Sequence, residues 1–241
     1  MPSPALLKFE DRMREVERLL KLCVPDNADP NEKKEHFERD GSILRGAHVL
    51  LCSHLEGFFE DLVADLISAY DYLLTDIAQM PDELRATQVM GASSKWDQKD
   101  PIKRWQTVTA WAAHPLIQLG TTLPPKCMDA EIHTNGFANP GTGEIEGLFK
   151  SVGIAKIWED FATYETDKFV KDSVNVIVNR RNQIAHGKLD ASIALSDAST
   201  YMVRARRVAT VFDIVVSQNL NDRLQIKACW EALEAATNGG A

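Results

Sequence analysis

An all-α fold is what this sequence predicts: a helical bundle carrying a long loop-rich insertion at about residues 115–150. Three observations predict it. Between Ile43 and Leu74, the residues Leu44, Ala47, Leu51, Leu55, Phe58, Leu62 and Leu66 recur at steps of three and four, the spacing of one buried helical stripe. Periods near 3.6 dominate the other apolar segments. Two Val/Ile-rich runs, Val174–Val178 and Val208–Val216, resemble strands, but their flanking charges fall at helical positions. Residues 1–241 are read as one helical domain, long enough to bury a core without metal or disulfide staples.

The elements follow in order. Ala5–Leu22 places Leu6, Leu7, Met13, Val16, Leu19 and Leu20 at helical spacing. Pro25, Asp26, Asn27 and Pro30 stop that helix with turn chemistry. Glu32–Arg39 resumes as a short helix, Gly41 breaks it, and Ser42 is the N-cap of the long Ile43–Leu74 helix. A second face of that helix, with Arg45, Cys52, Glu56 and Phe59, is read as solvated. Pro81-Asp82-Glu83-Leu84 opens another helix, its acids suited to the positive end. Pro101 begins one more, through Trp105, Val108 and Trp111 to about His114. From Leu119 to Gly147 Pro, Gly, Thr and Asn accumulate, which predicts a loop region. A short helix covers Glu144–Val152 and ends at Gly153. Phe161–Asn179 is a longer helix, with Phe169, Val170, Val174, Ile177 and Val178 on its apolar side. Ser196 or Asp197 starts a helix through Val215, and Asp222–Ala235 is the last.

Composition narrows the function classes. Hydrophobic residues are 44% and charged residues 26%, which argues against disorder. A formal charge of -8 counts against a broad nucleic-acid surface but leaves room for a small basic patch. No apolar run is free enough of charge to span a membrane, so no membrane partner is expected. Met1–Leu22 lacks the pattern of a signal peptide. The four cysteines (Cys23, Cys52, Cys127, Cys229) are scattered, as buried thiols of a reducing compartment are. Cytoplasm is the expected location.

The chemistry concentrates at Arg180-Arg181-Asn182-Gln183-Ile184-Ala185-His186-Gly187, which follows a helix and ends at a breaker. Arginine carries a fixed positive charge on a fork suited to phosphate oxygens. Histidine exchanges a proton near neutral pH. Asn182 and His186, four apart, share a face if the helix continues. That is a kit for phosphodiester cleavage without metal: a base, an acid and a positive clamp. Spacing alone favours a plainer reading, a helix C-terminus whose cations complement its dipole, with Arg181 paired to a carboxylate such as Glu56 and His186 capping the helix.

The run Arg181-Asn182-x-x-x-His186 resembles the signature of the HEPN superfamily, an Arg and a polar residue followed by a His. Ile43–Leu62 is similar to the early long helix of prokaryotic HEPN-like families near defence and toxin genes. Glu144–Ile154 is similar to a segment those families carry before the signature helix. The likeness covers roughly residues 37–217. It implies a HEPN-type helical bundle that dimerises, with two Arg–His motifs meeting in one composite site. It also implies metal-independent RNA cleavage that leaves a 2′,3′-cyclic phosphate, with no cofactor. Some members are inactive domains that bind a nucleotide or a protein. On this reading Arg181 clamps the scissile phosphate, His186 moves protons, and Asn182 orients His186 or the phosphate by hydrogen bonding. Arg180 and Lys188 attract the RNA backbone, and Arg45 and Glu56 support the site. An antitoxin-like protein is a further expected partner.

Other clusters read as structural. His48 with Cys52, and His54 with Glu56 and Glu60, lack the spacing of a metal site and fit a core or dimer face. Arg204, Arg206 and Arg207 fit pairing with surface carboxylates. Trp96, Trp105, Trp111 and Trp158 fit packing better than base stacking.

Overall fold

The structure is a computed structural model and describes residues 1–91, 101–114, 116–117, 127–188 and 193–238. Trp96 and residues 118–126 of the expected loop lie outside the described residues. Ten α-helices and a short 3-10 turn at Ile77–Gln79 make up the described secondary structure, as the periodicity predicts. None of these helices is long and apolar enough to cross a membrane.

Helix α1 (Pro4–Leu20) starts where Ser3 accepts the Leu6 N–H at 3.0 Å, with Pro4 in the first turn. It lies along α2 (Pro30–Leu73), the spine of the molecule. The expected break at Gly41 does not occur, and Ser42 is not a cap. Asp29 caps the helix instead, and α2 runs unbroken for 44 residues. The Ser42 hydroxyl donates to the Glu38 carbonyl at 3.0 Å, a bond of the helix interior. A glycine there costs about 1 kcal/mol against alanine. Nearby tertiary contacts offset it: the Asp40 carboxylate accepts the Val24 N–H at 2.8 Å, and Arg39 Nη2 donates to the Leu22 carbonyl at 3.4 Å.

The α2 stripe from Leu44 to Leu66 is buried as expected. The second face departs from expectation, because Cys52 and Phe59 are fully buried rather than solvated. The cause is the central place of α2, which packs against α1, α8 (Lys168–Ala185), α9 (Leu195–Leu224) and α10 (Cys229–Asn238). Phe59 meets Phe212 of α9 with ring centroids 4.9 Å apart. Phe149, Trp158 and Phe161 close round Phe212 at 5.2, 5.1 and 5.5 Å.

Between the long helices lie α3 (Asp82–Gly91), α4 (Pro101–Ala112), α5 (Glu131–Thr134), α6 (Thr142–Ser151) and α7 (Ile157–Tyr164). The expected Phe161–Asn179 helix is two helices, because Asp167 caps a new start by accepting the Phe169 N–H at 2.9 Å. Helix α8 then continues past Asn179 to Ala185. Its Val170, Val174, Ile177 and Val178 are buried, whereas Phe169, expected beside them, is 57% exposed. Helix α9 runs through the expected start at Asp222, and the chain turns at Gln225, whose φ is 56°. Trp158 and Trp230 are buried, Trp111 is partly buried, and Trp105 is exposed. Arg206 pairs with Glu10 and Glu17, and Arg207 with Glu165, as the basic cluster suggests.

The start of α1 rests on two carboxylates from other helices. Asp65 of α2 accepts the Ala5 N–H at 2.7 Å, and Asp213 of α9 accepts the Ser3 N–H at 3.0 Å. Burial pushes the Asp65 carboxyl up to about 6, against the Ala5 hydrogen bond and with help from the charges of Asp61 and Asp213. A native pKa above the unfolded value stabilises at low pH, and that contribution is lost as pH rises through the native value. Asp65→Asn keeps an acceptor for Ala5 and removes the charge. It is expected to stabilise the protein at pH 7 by on the order of 1–3 kcal/mol. The gain should fade as pH falls from about 6 towards 3.8. Thermal midpoints of both proteins across that range check this; a difference independent of pH contradicts it.

Candidate functional site

The signature run forms the last turns and the cap of α8, rather than following it. Ala185 is the last helical residue and His186 the cap. Gly187 takes φ 74° and donates its N–H to Ile184 O at 3.0 Å, while Lys188 N–H reaches Gln183 O at 3.1 Å. This pair of bonds is the Schellman termination, and it needs a left-handed residue at Gly187. A Cβ there would meet nothing within 4 Å, so backbone conformation rather than crowding selects glycine.

The ending fixes where the two leading residues point. Five helical residues turn by about 500°, so Arg181 and His186 leave the axis about 140° apart. His186 is exposed, and its ring has no hydrogen-bond partner among the described residues. Its backbone N–H is engaged by Asn182 O at 3.0 Å. Arg181 turns inward and is partly buried. Its Nη1 donates to Asn139 Oδ1 at 2.6 Å and to Asn182 Oδ1 at 3.2 Å. No carboxylate pairs with Arg181 among the described residues. Glu56 stands one step away, accepting the Asn139 N–H at 3.3 Å. Glu56 and Arg181 are therefore linked through Asn139 instead of directly.

Chain comparison assigns the family. The sequence model of the RiboL-PSP-HEPN family matches residues 7–218. The chain belongs to the HEPN superfamily. The match spans the helices that build the site, from α1 to most of α9. No curated protein and no solved structure gives a significant match to this HEPN chain.

The remaining expected residues are distributed unevenly. Arg180 is partly buried and its charge faces His48, whose pKa is lowered first by burial and then by that arginine. His48 Nε2 lies 2.9 Å from Ile177 O, so the neutral ring donates from Nε2 and braces α2 against α8. Tyr201 meets it edge-on at 5.6 Å. Cys52 is buried close to Arg181 and Glu56, and burial pushes its thiol up to about 11. These are packing roles, as the spacing suggests for His48 and Cys52. Lys188 is exposed just beyond the cap. Arg45 is not drawn into the cluster: its guanidinium bonds Ser42 Oγ at 3.2 Å and lines a hollow with Cys23, Asp26, Phe37 and Ile193.

Asn139 is the residue that the sequence did not single out. It sits 42 positions before Arg181, in a stretch legible only as turn chemistry. A left-handed φ of 55°, for which asparagine is suited, brings its side chain to α8.

Proposed function

We propose that this HEPN chain is an endoribonuclease that cleaves RNA without a metal ion, at a composite Arg–His site in a homodimer. One imidazole takes the proton of a ribose 2′-hydroxyl, and that oxygen attacks the phosphorus. A second imidazole protonates the departing 5′-oxygen, leaving a 2′,3′-cyclic phosphate. Arg181 stabilises the charge that builds on the phosphate, Asn182 steadies it, and Arg180 and Lys188 attract the backbone. One His186 cannot be acid and base in the same step, so a second copy supplies the other.

The observation that carries this reading is the pairing of a charged Arg181, held among the described residues only by neutral amides, with an exposed His186 whose ring has no partner among them, about one helical turn and a half away. Support for the second copy comes from the outer stripe of α8. Phe169, Asp172, Val176, Asn179, Gln183 and His186 follow at steps of three and four, a single helix face. Two apolar side chains on it, Phe169 and Val176, are 57% and 42% exposed. The setting would be cytoplasmic, in a toxin or defence role with an antitoxin-like partner.

The direct test is single-stranded RNA incubated with the protein in excess chelator. Cleavage products ending in 2′,3′-cyclic phosphate are expected; loss of cleavage in chelator sinks the mechanism. The charge of -8 favours a second reading, a catalytically silent HEPN domain that binds a nucleotide or a protein. Expression separates the two: the active enzyme arrests growth and His186→Ala relieves the arrest, whereas the binding domain shows no such dependence.

A further inference from the structure

The corner at residues 139–142 is seated on α8 from several sides. Gly141 N–H closes a tight turn on Asn139 O at 2.6 Å. Thr142 N–H donates to Asn175 Oδ1 of α8 at 3.0 Å, and the Asn175 amide returns a bond to Thr142 Oγ1 at 3.0 Å. Trp158 Nε1 donates to Thr142 O at 2.8 Å. Glu56 holds Asn139 N–H from the α2 side. Pro140 and Gly141 are buried. A Cβ on Gly141 would stand 2.7 Å from Glu144 Oε2 and 3.3 Å from Asn175 Oδ1. These contacts anchor the turn that carries Asn139.

What that corner delivers is an acceptor without charge. A carboxylate at 2.6 Å from Arg181 would hold the guanidinium equally well but would cancel the charge a phosphate needs. Two carboxamides, of Asn139 and Asn182, share Nη1 and leave Nη2 and Nε without protein partners among the described residues. The carboxylate that reaches Asn139, Glu56, accepts its backbone N–H and leaves the Asn139 carboxamide to Arg181. We infer that Asn139 is a positioning residue for Arg181: it aims the guanidinium and keeps its charge free for the scissile phosphate. The inference rests on the ribonuclease reading, which makes Arg181 the phosphate clamp.

Two substitutions separate aim from charge. Asn139→Gly keeps the left-handed backbone and removes the acceptor. Asn139→Asp keeps the backbone and an acceptor but places a carboxylate on Arg181. Single-turnover cleavage is expected to fall about tenfold for the glycine variant and roughly a hundredfold for the aspartate variant. Each effect should shrink to less than about twofold in an Arg181→Ala background, because groups that act through one another are not additive. Thermal midpoints report whether each variant folds. Binding of a 2′-O-methyl oligonucleotide, which lacks the attacking hydroxyl, is measured alongside. It should weaken for Asn139→Asp, with a salt dependence shallower by about 0.7 in log–log slope. If the wild type binds that oligonucleotide but never cleaves RNA, the ribonuclease reading fails, while the inference survives only if Asn139→Asp still weakens binding through Arg181. Wild-type activity and binding in Asn139→Asp, effects that persist without Arg181, or no binding by the wild type each overturn it.

Discussion

His186→Ala is expected to lower RNA cleavage by roughly two to four orders of magnitude, the range of a lost proton-transfer group. The fold should be unaffected. The ring is exposed and makes no hydrogen bond among the described residues, so alanine removes no stabilising contact. The bonds that end α8 run through backbone atoms of His186, Gly187 and Lys188, and alanine keeps them. A thermal midpoint within a degree or two of wild type, beside the loss of cleavage, is therefore the expected pair of results. Mixing adds a sharper reading. If one His186 is base and the partner's is acid, a dimer with a single histidine lacks half of one reaction and should be nearly as inactive as the double variant. Two independent sites would instead leave a mixed dimer with half the wild-type rate. Equal cleavage by wild type and His186→Ala would remove this residue from the chemistry altogether.

The parts of the fold and site that were legible in the sequence are those written in local patterns. The buried stripe from Leu44 to Leu66 follows from spacing, as does that of Val170, Val174, Ile177 and Val178. Gly187 as a helix end follows from glycine's access to left-handed backbone. The misread joints are places where a weak local preference met a tertiary contact. Gly41 and Ser42 look like a break, but Asp40 and Arg39 tie that stretch of α2 to the turn at residues 22–24, and the helix continues. The gap between α7 and α8 contains neither Gly nor Pro; its signal is the Asp167 cap, which carries less weight in a sequence than a breaker does. Asn139 was illegible for a stronger reason. Its role depends on a contact 42 residues away, and nothing in the local Asn-Pro-Gly order specifies that α8 lies beneath it. The placement of Glu56 shows the same limit. Its position on α2 suggests a direct partner for Arg181, and only the path of the 139–142 corner puts a neutral amide between them.

Arg181 carries the other large expected effect. Arg181→Ala should reduce cleavage by about two to three orders of magnitude, the scale of losing one preorganised donor to a developing oxyanion. The salt dependence of oligonucleotide binding should flatten by about 0.7 in log–log slope, one single-strand phosphate contact. Arg181→Lys decides what the residue supplies. A lysine restores the positive charge, so a role in long-range attraction would return nearly in full. The observed geometry asks for more than charge. One guanidinium nitrogen holds Asn139 and Asn182 while the other two have no partner among the described residues, which requires a rigid planar fork with donors pointing in different directions. An ammonium presents three donors from one atom. It cannot keep both carboxamides and still offer a bidentate edge to phosphate. Arg181→Lys is thus expected to recover most of the binding and little of the cleavage, staying at least tenfold below wild type in single-turnover rate. Full recovery of cleavage by lysine would show that charge alone suffices and that the amides around Arg181 only pack the end of α8.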